Sequence, residues 1–111
     1  MDQDEYQIQC QRTFGVHPDS WDAINNCLLG LAGEAGELIE LFKKYKYHNH
    51  TLDYSKVIKE AGDVYYYLAT LCYHLGMPLS DVAERNIEKL RARYPDRFDP
   101  ELSRNRKDGD V

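Results

Sequence analysis

Four acidic residues stand in two pairs, and the members of each pair are three residues apart. Glu34 and Glu37 form the first pair, and Glu60 and Asp63 form the second. Both pairs lie in the pattern Glu-Ala-Gly-acid-aliphatic, which indicates a weak internal repeat. At about 100° per residue, the members of a pair point about 60° apart around a helix. Each pair therefore falls on one face of its helix.

The faces that carry these acids also carry apolar residues that should pack a core. On the helix that carries Glu34 and Glu37 these are Cys27, Leu31, Leu38, Leu41 and Tyr45. On the helix that carries Glu60 and Asp63 they are Val57, Val64, Tyr67, Leu71 and Leu75. Burying an unpaired carboxylate is costly, and crowding four of them adds repulsion. Carboxylate oxygens are preferred ligands of Mg²⁺ and Mn²⁺, so a divalent metal would offset that cost. The alternative is that the acids are solvated or paired with Lys and Arg.

Small residues surround the acids at positions 33, 35, 36, 61 and 62. Glycine lowers helix propensity, so its presence inside a helix indicates that a close approach matters there. We therefore expect another backbone or a ligand to come close to these positions.

A further helix places polar groups on an apolar stripe, this time mostly cations. Asn86, Lys89 and Arg93 share the stripe defined by Leu79, Val82 and Leu90. Lys89 and Arg93 are four residues apart and can converge on one ligand. Lysine supplies a point charge and arginine a planar fork, which together suit phosphate oxygens. The alternative is that both cations only neutralise the acids across the protein.

Other polar and aromatic residues say less about chemistry. Trp21 could stack on a nucleobase or anchor the second helix, and anchoring is favoured. The four histidines have no ligand spacing and are predicted to be surface or loop residues. Tyr65 or Tyr66 could fill a subunit interface.

The periodicity predicts an all-α protein, because apolar residues recur at helical spacing and strand signals are nearly absent. Helices are expected at about residues 4–13, 21–47, 54–75 and 81–94. Predicted helix caps are Asp19 or Ser20, Asp53 and Ser80, and the third helix should stop at Gly76. Short links between long helices predict an antiparallel bundle of about four helices. We expect one domain over residues 1–98 and an irregular tail over residues 99–111.

Composition limits the partners and the compartment. The chain has 111 residues, a net charge of -5 and three widely spaced cysteines. An acidic chain is a poor match for nucleic acid or an anionic membrane, which require a basic surface. The cysteines suggest no disulfide framework, and the acidic start does not suggest a targeting peptide, so we expect a cytoplasmic protein. A chain this short gains core by forming homo-oligomers.

The ordered set of motifs resembles the MazG-like superfamily of all-α nucleoside triphosphate pyrophosphohydrolases. The resemblance rests on Glu34-x-x-Glu37, Glu60-x-x-Asp63 and the run Asn86-x-x-Lys89-Leu90-x-x-Arg93-Tyr94-Pro95-x-x-Phe98, and it extends from about Gly30 to Arg106. It implies that the four acids bind Mg²⁺, with Mn²⁺ as a substitute, and that one of them aids deprotonation of the attacking water.

The resemblance also implies that Asn86, Lys89 and Arg93 hold a nucleoside triphosphate, which is cleaved between its α and β phosphates. It further implies a homodimer or a homotetramer.

Three other functions are compatible with parts of the pattern. A phosphoribosyl-ATP pyrophosphatase shares the helices and the acids, but the segment from Asn86 to Phe98 looks more like the MazG-type branch. A carboxylate-bridged di-iron bundle usually has Glu-x-x-His pairs, and no Glu here has a His three residues later. A non-catalytic helical interaction module could keep the fold without the chemistry.

Overall fold

A computed structural model describes residues 1–106 and shows an all-α protein. The helices are α1 (Gln3–Phe14), α2 (Ser20–Tyr47), α3 (Tyr54–His74), α4 (Leu79–Arg93) and the short α5 (Pro100–Arg104). No β-strand occurs among these residues, which confirms the predicted fold class with its four main helices. The chain divides into two compact units, the first covering Met1–Leu79 and the second beginning at Ser80. No helix of the described residues is long and apolar enough to cross a membrane.

Local caps explain where the first three helices begin. Asp2 accepts a hydrogen bond from the Glu5 amide while the Glu5 side chain accepts one from the Asp2 amide, a reciprocal capping box. Asp19 caps α2 through the Asp22 amide, and Asp53 caps α3 through the Ser55 amide. Each cap satisfies an amide that has no partner within its helix.

The predicted cap at Ser80 is wrong, because α4 already begins at Leu79. The Leu79 amide donates to the side-chain oxygen of Gln7, 3.2 Å away. This distant side chain therefore satisfies the first amide of α4, and a local Ser cap is not needed there.

The end of α3 follows from a glycine, as predicted. Gly76 has a φ of 73°, a left-handed conformation that glycine adopts without steric cost. The Met77 amide donates to the Cys72 carbonyl at 2.8 Å, and the Gly76 amide donates to the Tyr73 carbonyl at 3.0 Å. This pair of bonds is a Schellman motif, which satisfies the last carbonyls of the helix and turns the chain.

Helices α2 and α3 form an antiparallel hairpin that contains most of the small core. Gly30 lies against Tyr67, and Glu34 lies near Asp63, so residue numbers fall along α3 as they rise along α2. The buried apolar side chains of the first unit are Cys10, Ala23, Ile24, Cys27, Ala69, Cys72 and Leu79. Five of these seven residues are Ala or Cys, and such small side chains let the helices pack closely but bury little apolar area.

Helix α1 is fixed to the hairpin by a buried glutamine. Gln7 is only 4% exposed, and its side-chain amide donates to the carbonyls of Ala69 at 3.0 Å and Met77 at 2.9 Å. With the Leu79 bond, its side chain makes three hydrogen bonds to the backbone near the α3–α4 junction. A buried polar side chain with all these partners ties the elements together at little desolvation cost.

The tyrosines considered for a subunit interface, Tyr65 and Tyr66, make contacts with α1. Tyr65 stacks on Tyr6 of α1 with ring centroids 4.8 Å apart. The Tyr66 hydroxyl lies 3.1 Å from the Thr13 hydroxyl. Both residues therefore hold α1 against α3, and a role for either in a subunit interface stays a prediction.

The second unit contains the larger part of α4 and the helix α5. The sequence predicted an irregular tail over residues 99–111. This prediction is wrong in part, because Asp99 caps a helical turn that starts at Pro100. Proline at the first helical position and Asp at the cap are both favourable local signals. The rest of the predicted tail, residues 107–111, lies outside the described residues.

Candidate metal centre

The α2–α3 hairpin brings three of the four predicted acids together. Glu34 comes from α2, and Glu60 and Asp63 come from successive turns of α3. One carboxylate oxygen of each lies within 4.8 Å of the other two. The antiparallel pairing of the helices thus converts two sequence motifs into one cluster of acids.

Glu37 does not belong to this set of three. Its side chain is exposed on α2, although its charge still contributes to the field at Glu34. A Glu one turn further along α2 can swing towards a ligand at low cost, because an exposed side chain has free rotamers. Metal binding by Glu37 stays a prediction.

The neighbouring carboxylates disfavour the ionised form of Glu34. The pKa of Glu34 is raised, first by its partial burial and then by repulsion from Asp63 and Glu60. A hydrogen bond between the carboxyl groups of Glu34 and Glu60 also favours the protonated form. A divalent cation at this position would offset the repulsion that disfavours the ionised form of Glu34.

The cluster fits a small divalent cation. Magnesium binds oxygen ligands at about 2.1 Å, so two of its ligands lie at most about 4.2 Å apart. Three oxygens within 4.8 Å of each other reach that arrangement by small side-chain rotations. The donor set consists only of carboxylate oxygens, which suits Mg²⁺ or Mn²⁺ better than metals that prefer nitrogen or sulfur.

Tyr67 borders the cluster on α3, as its position on the acidic face predicted. Its pKa is raised, first by burial and then by the negative charges of Glu34 and Asp63. The phenol therefore stays protonated over the physiological range and remains a hydrogen-bond donor beside the acids.

The predicted phosphate-binding residues all lie on one stripe of α4, in the second unit. Asn86 and Lys89 are exposed, and Arg93 is half-buried. Their spacing gives the stripe one amide and two cations within two helical turns. Their role in holding a substrate stays a prediction.

Trp21 does not anchor α2 within the chain. Its side chain is 73% exposed in the first turn of α2, so the favoured interpretation of this residue was wrong. An exposed tryptophan leaves a large ring face available for stacking on a base.

The histidines divide between surface and interior. His48 and His50 are exposed in or near the α2–α3 loop, as predicted. His74 instead lies half-buried at the end of α3, and its Nε2 is buried without a hydrogen-bond partner. Its ring packs 5.2 Å from that of Phe14, so tertiary packing determines its environment.

Comparison with known proteins places the chain in a family. The model of the MazG nucleotide pyrophosphohydrolase domain matches residues 23–98, which include the three clustered acids and the polar stripe of α4. The chain therefore belongs to the MazG nucleotide pyrophosphohydrolase domain family, and the predicted resemblance is confirmed.

A phage protein of similar length also matches. The gene 37 protein of Mycobacterium phage L5 is 33% identical over 99 residues, which cover 81% of this chain and 86% of that protein. No solved structure matches.

Proposed function

We propose that this protein is a Mg²⁺-dependent pyrophosphohydrolase that cleaves nucleoside triphosphates between the α and β phosphates. The products would be a nucleoside monophosphate and pyrophosphate. The observation that carries the proposal is the cluster of Glu34, Glu60 and Asp63, found in a chain of the MazG family. Ribonucleoside and deoxyribonucleoside triphosphates are both candidate substrates.

The carboxylates would hold the metal and position the reacting groups. Bound Mg²⁺ would neutralise phosphate oxygens and lower the pKa of an attacking water. Glu34, Glu60 and Asp63 would supply the ligand oxygens, and Glu37 would add a further ligand from the exposed turn that follows Glu34. A carboxylate of this set would accept the proton of the water.

The stripe on α4 would bind the substrate. Lys89 and Arg93 provide charge and directional donors for phosphate oxygens, and Asn86 adds an amide donor. Trp21 would stack on the nucleobase, for which its exposed ring is available.

The enzyme would work as a homo-oligomer in the cytoplasm. Large apolar side chains of the hairpin are exposed, among them Leu29 at 76% and Ile58 at 72%, so burial against further copies would be favourable. The thiols of Cys10, Cys27 and Cys72 are free, which fits a reducing compartment. Light scattering during size-exclusion chromatography tests the assembly, and a monomer at micromolar concentration would contradict it.

Pyrophosphate release from a panel of ribo- and deoxyribonucleoside triphosphates tests the reaction, with Mg²⁺ and with EDTA. We expect release with Mg²⁺ and none with EDTA. Glu40→Gln is a matched control, because Glu40 pairs with Lys43 at 3.8 Å outside the cluster. This variant should retain activity. No release from any triphosphate would contradict the proposal and favour a non-catalytic module.

A further inference from the structure

A close contact between a glycine and a tyrosine lies beside the acidic cluster. The ring of Tyr67 rests on Gly30, where a Cβ added to the glycine would overlap three ring carbons. The ring is half-buried between α2 and α3, so it has limited room to move aside. The absence of a side chain at position 30 therefore lets the ring lie directly on the α2 backbone.

This contact is one helical turn from the metal ligands on both helices. Gly30 precedes Glu34 by four residues, and Tyr67 follows Asp63 by four residues. Residues four apart lie on the same face of a helix. The ring and the carboxylates consequently occupy adjacent layers of the same interface, and the thickness of one layer controls the helix separation in the next.

The other glycines of the two helices show no such requirement. A Cβ at Gly33, Gly36 or Gly62 would meet no atom within 4 Å. The close approach that we expected at positions 33, 36 and 62 is therefore not made by the described residues. Packing against Tyr67 requires glycine at position 30, which lies outside the group of small residues around the acids.

We propose that Gly30 and Tyr67 form a positioning pair that sets the α2–α3 separation at which Glu34, Glu60 and Asp63 can share one cation. This inference rests on the proposed metal-dependent function and concerns the same site. The ring acts as a spacer of fixed thickness, and it fits because Gly30 has no side chain. An added methyl group at position 30 would push the helices apart by displacing the ring, and would thereby separate Glu34 from the two acids of α3.

The test is the affinity for Mn²⁺, measured from the electron paramagnetic resonance signal of the free ion without substrate. Gly30→Ala should weaken binding about tenfold, at the low end of the about 10–100-fold effect of changes next to metal ligands. Gly36→Ala is the matched control on the same helix. It should bind Mn²⁺ like the wild type and melt at a higher temperature, because alanine is the better helix former.

Two further variants separate spacing from other effects. Tyr67→Phe keeps the ring, so its Mn²⁺ affinity should stay within about twofold of the wild type. That is well below the about 10–100-fold effect of changes next to metal ligands. The double variant Gly30→Ala with Tyr67→Leu replaces the ring by a thinner side chain and should regain most of the affinity lost in Gly30→Ala. Circular dichroism would show whether each variant retains its helices. If Gly30→Ala does not fold, the double variant is compared with the wild type: affinity close to that of the wild type supports the pair, and a loss of about tenfold overturns it.

The outcomes are distinguishable. Weakened binding in Gly30→Ala with recovery in the double variant supports the positioning pair. Unchanged binding in Gly30→Ala, absence of recovery, or an equal loss in Tyr67→Phe would overturn it while leaving the metal site intact. Absence of Mn²⁺ binding by the wild type would overturn the metal assignment, and the positioning role with it.

Discussion

The two halves of α3 treat their polar groups in opposite ways. Towards its C-terminal end, Ala69 is contacted by the buried Gln7, whose amide and carbonyl groups are all used in hydrogen bonds to backbone atoms. Towards its N-terminal end, Glu60 and Asp63 gather with Glu34 and raise its pKa. One half of the helix is organised for stability, and the other retains a repulsion that a ligand can relieve. Such unfavourable electrostatics concentrate at functional sites.

The largest effect should come from neutralising the acids. Asp63→Asn and Glu37→Gln should each abolish pyrophosphate release while the helices remain. A metal ion contributes several kcal/mol to such a reaction, and about 1.4 kcal/mol corresponds to a factor of ten. We therefore expect a loss of about 1,000-fold for Asp63→Asn in a steady-state assay. Normal turnover in either variant would remove that residue from the metal centre.

Gln7→Met should show the opposite profile, with a large loss of stability and no direct effect on metal binding. Methionine fills a similar volume but leaves the Leu79 amide and two carbonyls without their partner. Each buried unsatisfied group costs about 1–3 kcal/mol, and partial relaxation should give a total of about 2–4 kcal/mol in urea unfolding. Gln11→Ala is the control, because its side chain bonds only to the Gln7 carbonyl in its own helix. An equal loss in both variants would show that the Gln7 bonds are not special.

His74, at the C-terminal end of α3, should make the fold less stable in acid. Its pKa is lowered, first by burial and then by the nearby His17. The neutral form is therefore favoured in the folded state, and stability is lost as the pH falls below about 6.5, the value in the unfolded chain, towards the lowered value. His74→Phe should remove this loss and, by eliminating an unpaired buried nitrogen, add about 1 kcal/mol at neutral pH. Urea midpoints measured from about pH 5 to about pH 8, on both sides of the unfolded pKa of about 6.5, would reveal this loss of stability. An unchanged pH profile would contradict the assignment.

The smallest effect concerns Glu34, whose contribution makes stability depend on pH in the opposite direction to that of His74. The raised pKa of Glu34 means that its ionised form is disfavoured in the metal-free fold. Stability should therefore fall as the pH rises from about 4.5, the usual value, through the raised one. Glu34→Gln should stabilise the metal-free protein by less than about 1 kcal/mol, the scale of partly exposed charge interactions. Thermal unfolding with EDTA tests this, and Mg²⁺ should stabilise the wild type but not the variant. A less stable metal-free variant would refute the idea of stored repulsion.

Local sequence signals predicted the helices well, because caps and breakers act within a few residues. Asp19, Asp53 and Gly76 all perform the predicted roles. The start of α4 was misplaced because its first amide is satisfied by Gln7, more than 70 residues away. The turn at Pro100 could have been predicted, since Asp99 and Pro100 form a recognisable start signal.

The site was predictable to the extent that it depends on helical periodicity. The spacing of the acids placed Glu34, Glu60 and Asp63 on core-facing stripes, and the fold brings them together. Periodicity could not predict which glycine lies against which ring, because the register between α2 and α3 determines that contact. The burial of His74 was missed for the same reason, since it depends on how α1 lies against α3.

Phosphorus NMR of a nucleoside triphosphate incubated with the wild-type protein and Mg²⁺ would detect the proposed cleavage directly. We expect the triphosphate signals to be replaced by those of a nucleoside monophosphate and pyrophosphate in equal amounts, and EDTA to prevent the change. Formation of nucleoside diphosphate and orthophosphate, or unchanged spectra for every nucleotide offered, would contradict it.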